Sequence, residues 1–130
     1  MKVLLDENLS PALAKALAAL FDGTHEVAHL RQRFGPGVTD KEWIGTLSAE
    51  GRWVIISGDR RITKVQSEYQ AFRNSRLIGF FLARGLYKAP VVKQMERILA
   101  LWDVMERQAD LIEGGAMFEL PMKSQRLRQF

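Results

Sequence analysis

A short apolar run that leads straight into two acidic residues places the strongest constraint on the fold. Residues 3–5 are Val, Leu and Leu, a pattern typical of a strand buried on both faces in a parallel sheet with helices above and below it. Ser10 and Pro11 then predict a helix start, because serine caps free N–H groups and proline loses no hydrogen bond at the first helical position. Asp6 and Glu7 therefore lie at the carboxyl end of a strand, the edge where open α/β sheets bind ligands.

Two interpretations of this acidic pair remain open from these residues alone. Adjacent carboxylates at the end of a buried strand repel each other unless a cation or a hydrogen-bond donor lies between them, which favours a binding site. Asp6, Glu7 and Asn8 are also residue types that form turns and caps for local hydrogen-bonding reasons. Further acids at the same edge of the sheet would favour the binding site.

The rest of the chain alternates strand and helix patterns. We predict further strands over residues 26–30, 52–57, 77–83 and 116–120, helices over residues 11–22, 39–50, 60–74 and 89–113, and an irregular connection over residues 31–38. Short connections between alternating elements predict an α/β fold, with a mostly parallel sheet of about five strands and helices on both faces. We expect a single domain over residues 1–120, followed by a basic C-terminal tail over residues 121–130.

The composition excludes several classes of protein. The 130 residues are 47% hydrophobic and 26% charged, and none is a cysteine, which excludes disulfide frameworks, thiolate metal sites and cysteine nucleophiles. The longest apolar run, near residues 77–83, is far shorter than the roughly 20 residues that span a bilayer, and the N-terminus lacks a signal pattern. We therefore expect a cytoplasmic protein with no membrane association.

Charge is distributed unevenly along the chain. Residues 60–93 contain eight lysines or arginines and a single acid, Glu68, whereas residues 96–119 contain six acids and two arginines. Clustered cations raise the local concentration of phosphates, so this segregation indicates a polyanionic partner on one face. Solvated helix faces and a loose basic tail are the alternative explanation.

Two further aspartates are candidates for the same edge of the sheet. Asp59 follows the buried strand at residues 52–57 directly, as Asp6 follows the first strand. Asp40 lies in the first turn of a helix that begins with a capping-box pattern, where the helix dipole alone favours an acid. In an ideal strand–helix–strand unit we expect Asp40 at the opposite edge of the sheet. The long loop at residues 31–38 can, however, carry the start of the helix back to the edge that holds Asp6 and Asp59. His25 and His29 lie near strand ends, where we expect ordinary hydrogen-bonded histidines.

Pairs of cations follow three of the predicted strands. They are Arg31 and Arg33, Arg60 and Arg61, and Arg84 and Lys88. Cations around a carboxylate cluster suit phosphodiester hydrolysis, since aspartates hold Mg²⁺ or Mn²⁺, the ion activates a water, and arginine and lysine position the polyanion. We therefore expect these six side chains to contact the phosphates of a nucleic acid.

Three motifs in register resemble a known family. They are Leu4-Leu5-Asp6-Glu7-Asn8-Leu9, Thr39-Asp40-Lys41-Glu42 and Val54-Ile55-Ile56-Ser57-Gly58-Asp59, which over residues 1–85 resemble the short PIN-like domains, the VapC-type toxin nucleases of bacterial toxin–antitoxin pairs. The resemblance implies a Rossmann-like three-layer sandwich and a Mg²⁺- or Mn²⁺-dependent ribonuclease that a cognate antitoxin neutralises. It implies that Asp6, Asp40 and Asp59 bind the metal, with Glu7 as a fourth catalytic acid.

The chain departs from this family at one place. Relatives often carry a second acid two residues after the third-strand aspartate and then an aromatic residue, whereas this chain has Arg61 and Ile62. A cation in place of an acid weakens metal affinity by charge alone, so a PIN-like protein that binds nucleic acid with little or no cleavage is an alternative. The sequence leaves the oligomeric state of the protein open. An apolar stripe along the helix predicted at residues 89–113 is compatible with a homodimer.

A response-regulator receiver domain is the alternative from another class. Such a domain also has an acidic pair after its first strand, and Asp59 would be its phosphorylated aspartate. Its chemistry requires a serine or threonine at the end of the fourth strand, where this chain has Ala83 and Arg84. Lys123 does not have the order and spacing of the usual lysine after the fifth strand.

Overall fold

The computed structural model describes residues 1–130. Its strands are β1 (Lys2–Leu5), β2 (Glu26–His29), β3 (Trp53–Ser57), β4 (Ile78–Leu82), β5 (Met117–Leu120) and β6 (Arg128–Gln129). Its helices are α1 (Pro11–Leu20), α2 (Leu30–Phe34), α3 (Asp40–Glu50), α4 (Gln66–Arg73), α5 (Arg84–Tyr87), α6 (Val91–Ala100) and α7 (Trp102–Leu111), and a 3-10 turn spans Arg61–Thr63. The strands form one sheet in the order β2-β1-β3-β4-β5-β6, parallel except for β6. The predicted α/β fold is confirmed.

The centre of the sheet places the ends of β1 and β3 side by side. Leu5 is in register with Ile56, and the Asp6 N–H donates a hydrogen bond of 2.9 Å to the carbonyl oxygen of Ile56. All five side chains of β3 and the last three of β1 are buried, because helices cover both faces of these strands. The residues that follow β1 and β3 therefore emerge at a common carboxyl edge.

Two apolar clusters lie between the sheet and the helices that pack on its two faces. The larger cluster contains Leu17 of α1, Ile98 of α6 and Met105 of α7. The smaller one, on the other face, contains Trp43 of α3 and Phe72 of α4. Helices on both faces complete the predicted three-layer sandwich.

Two helix starts follow the chemistry predicted from the sequence. The Ser10 Oγ accepts a hydrogen bond of 3.1 Å from the Ala12 N–H, and proline occupies the first turn of α1. The Thr39 Oγ1 accepts a bond of 3.2 Å from the Glu42 N–H at the start of α3. These caps satisfy N–H groups that have no partner within their own helix.

Other helical boundaries differ from the prediction. Residues 30–34, expected in a strand end and a loop, form α2. The helix predicted from residue 60 begins only at Gln66, since the chain first makes a 3-10 turn in which the Thr63 hydroxyl donates to the Arg60 carbonyl at 2.6 Å. The long helix predicted over residues 89–113 is divided at Leu101, which is fully buried. The apolar stripe continues across that break, so periodicity alone did not reveal it.

The last ten residues add a sixth strand that the sequence did not predict. Phe118 and Glu119 of β5 pair with residues 128–129 in antiparallel register. The Phe130 ring lies between Phe81, at 5.5 Å between centroids, and the Arg60 guanidinium, 3.8 Å from its centroid. Arg60 also forms an ion pair of 3.0 Å with Glu119, so the C-terminal segment is tied to the loop after β3.

A buried arginine anchors the same segment from the opposite face. The Arg97 guanidinium of α6 donates to the carbonyl oxygens of Pro121 and Ser124.

Each of the helices is too short or too polar to cross a lipid bilayer.

Candidate active site

A cleft of about 250 Å³ opens at the carboxyl edge of β1 and β3. We name it the acidic cleft; its lining residues are Asp6, Glu7, Asn8, Asp40, Asp59, Arg61, Ile62, Val65 and Glu68. The four acids predicted as catalytic all line it. Asp40 reaches this edge because β2 and β3 both run parallel to β1, so the connection through α3 leaves the carboxyl edge and returns to the amino edge. The start of α3 therefore lies at the carboxyl edge, and the expectation that an ideal unit puts Asp40 at the opposite edge is wrong.

Asp6 is held by hydrogen bonds from its own loop and from β3. Its Oδ1 accepts from the Glu7 N–H at 2.8 Å, and its Oδ2 accepts from the Ser57 hydroxyl at 3.0 Å. Burial raises the pKa of Asp6 above its ordinary value, and repulsion by Asp40 and Glu7 adds to the rise, while these two hydrogen bonds oppose it. The loss of solvation outweighs the hydrogen bonds, and Asp6 forms no salt bridge.

Asn8 joins the loops that follow β1 and β3. Its Oδ1 accepts from the Gly58 N–H at 2.8 Å, and its Nδ2 donates to the Ser57 Oγ at 3.2 Å. Ser57 thereby connects Asn8 to Asp6. Sequence reasoning treated Asn8 as a turn residue and did not assign Ser57 a role; the only signal was that both adjoin the acids.

Asp59 already has a cationic partner. The Arg61 Nε lies 3.2 Å from Oδ1 and 3.1 Å from Oδ2 of Asp59, and the Arg61 N–H also donates to Oδ1 at 3.0 Å. The contact raises the pKa of the Arg61 guanidinium. Asp59 thus forms an ion pair with Arg61, whereas Asp6 forms no salt bridge.

Asp40 faces a carboxylate that the sequence analysis did not include in the site. Its Oδ1 accepts from the Trp43 Nε1–H at 2.8 Å, which fixes its orientation. Glu68, in the first turn of α4, is within hydrogen-bonding reach of Asp40, and the pKa of Glu68 is raised by desolvation, by this hydrogen bond and by repulsion from Asp40. Glu68 was missed because its nearness to Asp40 depends on the packing of α3 against α4.

The donor chemistry of the acidic cleft suits a hard divalent cation. Carboxylate and amide oxygens are the ligands that Mg²⁺ and Mn²⁺ prefer, and Asp6 and Asp40 repel each other without a cation between them. No three acidic or histidine side chains, however, lie close enough together to form a finished coordination shell. The residues fit such an ion chemically, and binding would require the carboxylates to draw together.

Three of the predicted phosphate contacts lie at the carboxyl edge without a strong ion pair. Arg84 and Lys88, on and just after α5, are exposed and form no salt bridge. Arg31 is exposed, and its contact with Glu7 is long at 3.9 Å. These three side chains are therefore available to bind a polyanion.

The other three predicted phosphate contacts form ion pairs within the protein. Arg33 lies away from the acidic cleft, because α2 turns its side chain back toward the start of the sheet, where it pairs with Glu50 at 2.6 Å and lies 4.8 Å from the centre of the Trp53 ring. Arg60 is committed to Glu119, and Arg61 to Asp59. Of the six expected cations, three therefore lack a strong internal partner, and they follow β2 and β4, the strands on either side of β1 and β3.

Tyr87 fixes the loop after β3 against α5. A Cβ added to Gly58 would lie 2.2 Å from Cε1 of the Tyr87 ring, so the ring occupies the space that a side chain would need. The absence of a side chain at position 58 lets α5 approach the acidic cleft.

Both histidines have structural roles, as predicted. The His29 Nε2 lies 2.8 Å from the Leu9 carbonyl oxygen, and its Nδ1 accepts from the Arg31 N–H at the start of α2. The His25 Nδ1 lies 2.6 Å from the amino group of Met1. Neither histidine lines the acidic cleft.

Fold and site together define an α/β protein that gathers carboxylates at the carboxyl edge of a mostly parallel sheet. A family model described as PIN like domain matches residues 1–84, more than half of the chain. The chain belongs to the PIN-like domain family, whose members are generally nucleases. Searches of curated proteins and of solved structures gave no significant match.

The family match also distinguishes a PIN-like domain from a receiver domain. Receiver domains share the strand order 2-1-3-4-5, so the order of β1 to β5 does not distinguish them from this chain. The match to a PIN-like family does.

Proposed function

We propose that this protein is a metal-dependent endoribonuclease. The observation that carries the proposal is the meeting of Asp6, Asp40 and Asp59 in one cleft at the carboxyl edge of the sheet, in a chain of a generally nucleolytic family. Each acid comes from a different segment of the chain. Burial of Asp6 without a positive partner is a cost that a bound cation would remove.

In this proposal Asp6, Asp40 and Asp59 hold Mg²⁺ or Mn²⁺, and Glu7 accepts a proton from the attacking water at the rim of the cleft. The ion supplies a water of lowered pKa and neutralises charge on the phosphate. Ser57 and the Glu7 N–H keep the Asp6 carboxylate oriented toward the cleft. Trp43 does the same for Asp40.

The substrate contacts that we propose are Arg31, Arg84 and Lys88. They follow β2 and β4, the strands on either side of β1 and β3, and they carry no strong ion pair, so phosphates would not have to displace an internal partner. Arg61 would contact phosphate only after releasing Asp59. Arg60 and Arg33 are better explained by the internal ion pairs that they form.

We further propose that the protein is the toxin of a type II toxin–antitoxin pair, because its motifs resemble VapC-type nucleases. Its partner would be an antitoxin encoded by the adjoining gene. Co-expression should yield a complex of the two proteins that no longer cleaves RNA. An adjoining gene whose product neither binds the protein nor inhibits it would contradict the toxin role and leave the nuclease activity to be judged separately.

Cleavage assays test the nuclease directly. Purified protein should cleave single-stranded or structured RNA in Mg²⁺ or Mn²⁺ and lose this activity in EDTA. Asp6→Asn should abolish cleavage with the fold intact, since the amide is isosteric. Asp22→Asn, an exposed acid after α1 that lies outside the cleft, is the matched control and should cleave like the wild type.

The ion pair between Arg61 and Asp59 favours a second candidate function, a PIN-like protein that binds RNA with little cleavage. Arg61 occupies the carboxylate that a metal would use. RNA binding without cleavage in either metal, across several substrates, would support this function over the nuclease.

A further inference from the structure

We propose that Glu68 is a further carboxylate of the cation-binding set, taking the place of the acid that this chain lacks at position 61. The inference rests on the proposed metal dependence of the acidic cleft. Glu68 is the only acid among residues 60–93, and it lines the cleft opposite Asp40.

The position of Glu68 is set by the packing of α4. Phe72, one turn further along the helix, is fully buried against the sheet, and Tyr69 is half-buried. With that face of α4 fixed, Glu68 lies in the first turn on the side toward α3, within hydrogen-bonding reach of the Asp40 carboxylate. A carboxylate from α4 thereby enters a site otherwise built from the ends of β1 and β3 and the start of α3.

The charges of the cleft are compensated at one end only. Asp59 has Arg61 against both of its oxygens, and Glu7 has Arg31 at 3.9 Å. Asp6, Asp40 and Glu68 form no salt bridge, and all three line the cleft. The uncompensated negative charge of the cleft therefore lies on Asp6, Asp40 and Glu68, with Asp59 partly neutralised by Arg61.

This arrangement explains how the chain can retain a cation site despite the change at position 61. Arg61 removes one carboxylate from use and adds a positive charge. Glu68 returns a carboxylate to the same cleft from a position seven residues further along the chain. Glu68 thus replaces the missing carboxylate and offsets part of the change in charge at position 61.

Calorimetric titration of Mn²⁺ into the whole protein, without RNA, tests the assignment. Glu68→Gln should weaken Mn²⁺ binding about tenfold or more, in the range found when groups that support a metal site are removed. Glu42→Gln, an exposed acid in the first turn of α3 that does not line the cleft, should bind like the wild type. Circular dichroism verifies folding, which the change should preserve because the Glu68 side chain supports no buried contact.

A compensating pair of variants separates a ligand from a general charge effect. Adding Arg61→Asp to Glu68→Gln should restore most of the Mn²⁺ affinity, since it returns an acid to the cleft. Adding Lys64→Asp instead makes the same change in net charge at an exposed residue outside the cleft, and it should restore little. Equal Mn²⁺ affinity of Glu68→Gln and the wild type would overturn the role of Glu68 alone, whereas a wild type that binds no Mn²⁺ would overturn the proposed metal dependence as well.

Discussion

The Arg61 guanidinium lies against both carboxylate oxygens of Asp59, with its Nε 3.2 Å from Oδ1 and 3.1 Å from Oδ2. The two residues are separated by one position in the chain, so the contact needs no distant part of the fold. A divalent cation that used Asp59 would have to compete with this internal cation. The strength of the ion pair therefore bears directly on metal affinity.

Removing the internal cation should strengthen metal binding. Arg61 is largely exposed, and exposed ion pairs contribute only about 0.2–1 kcal/mol, so Arg61→Ala should increase Mn²⁺ affinity by at most about fivefold. Calorimetric titration of Mn²⁺ measures the change. Lys64→Ala is the control for a lost positive charge outside the cleft, and an affinity increase of the same size there would show that the ion pair itself is unimportant.

The stability of the protein should fall with rising pH because of Asp6. Since its native pKa is raised above the ordinary value of 3.8, the native state binds more protons than the unfolded chain between those two pKa values, and stability decreases as pH rises through that window. In metal-free buffer at pH 7, Asp6→Asn should therefore be more stable than the wild type, and this gain should disappear below pH 4. Denaturant unfolding at both pH values measures it; a variant less stable than the wild type at pH 7 would contradict the burial cost.

RNA affinity should depend on the free cations of α5. Each phosphate contact to a single strand contributes about 0.7 to the slope of log affinity against log salt. Replacing Arg84 and Lys88 with alanine should lower that slope by roughly 1.4, with little change in sequence preference. Arg76, exposed in the turn before β4 at the opposite edge, provides the control. An unchanged slope in the double variant would move the RNA-binding surface away from α5.

Arg60 should contribute to stability rather than to RNA binding. Its guanidinium pairs with Glu119 and stacks on Phe130, and the two contacts together are expected to contribute about 1 kcal/mol. Arg60→Ala should lower the free energy of unfolding by that amount and leave the salt slope of RNA binding unchanged. A flatter slope with unchanged stability would instead assign Arg60 to the RNA-binding surface.

A side chain at position 58 should disturb the protein through steric overlap. The Cβ of Gly58→Ala would meet the Tyr87 ring, and overpacking of this kind costs about 1–3 kcal/mol. The loss should be smaller when the same change is made in a Tyr87→Ala background, because the space is then open. Additive losses in the double variant would show that the contact does not limit position 58.

Features that depend on neighbouring residues in the chain were predictable from the sequence. The serine and proline that start α1 need only the first turn of that helix, and the apolar runs of β1 and β3 identify buried strands wherever they occur. The alternation of elements then predicted the parallel sheet and the common edge for Asp6 and Asp59. These parts of the fold follow from local patterns and from the handedness of crossovers.

Features that depend on tertiary packing were not predictable in this way. Arg33 has the same sequence signal as Arg31, yet α2 directs it onto Trp53 at the other edge. Glu68 follows no predicted strand and carries no motif, and its closeness to Asp40 depends on how α3 and α4 pack. The division of the long helix at Leu101 does not interrupt the apolar stripe.

The pairing of β6 with β5 also affects how one molecule meets another. An open edge strand offers unpaired N–H and C=O groups to the strands of neighbouring molecules, which is a common start of aggregation. Here the two-residue β6 covers part of the edge of β5, and its Arg128 is held by Glu119 at 3.0 Å. The covering strand is too short to serve as a template itself and carries a charge at its exposed side. The C-terminal segment thus protects this edge of the sheet from intermolecular strand addition.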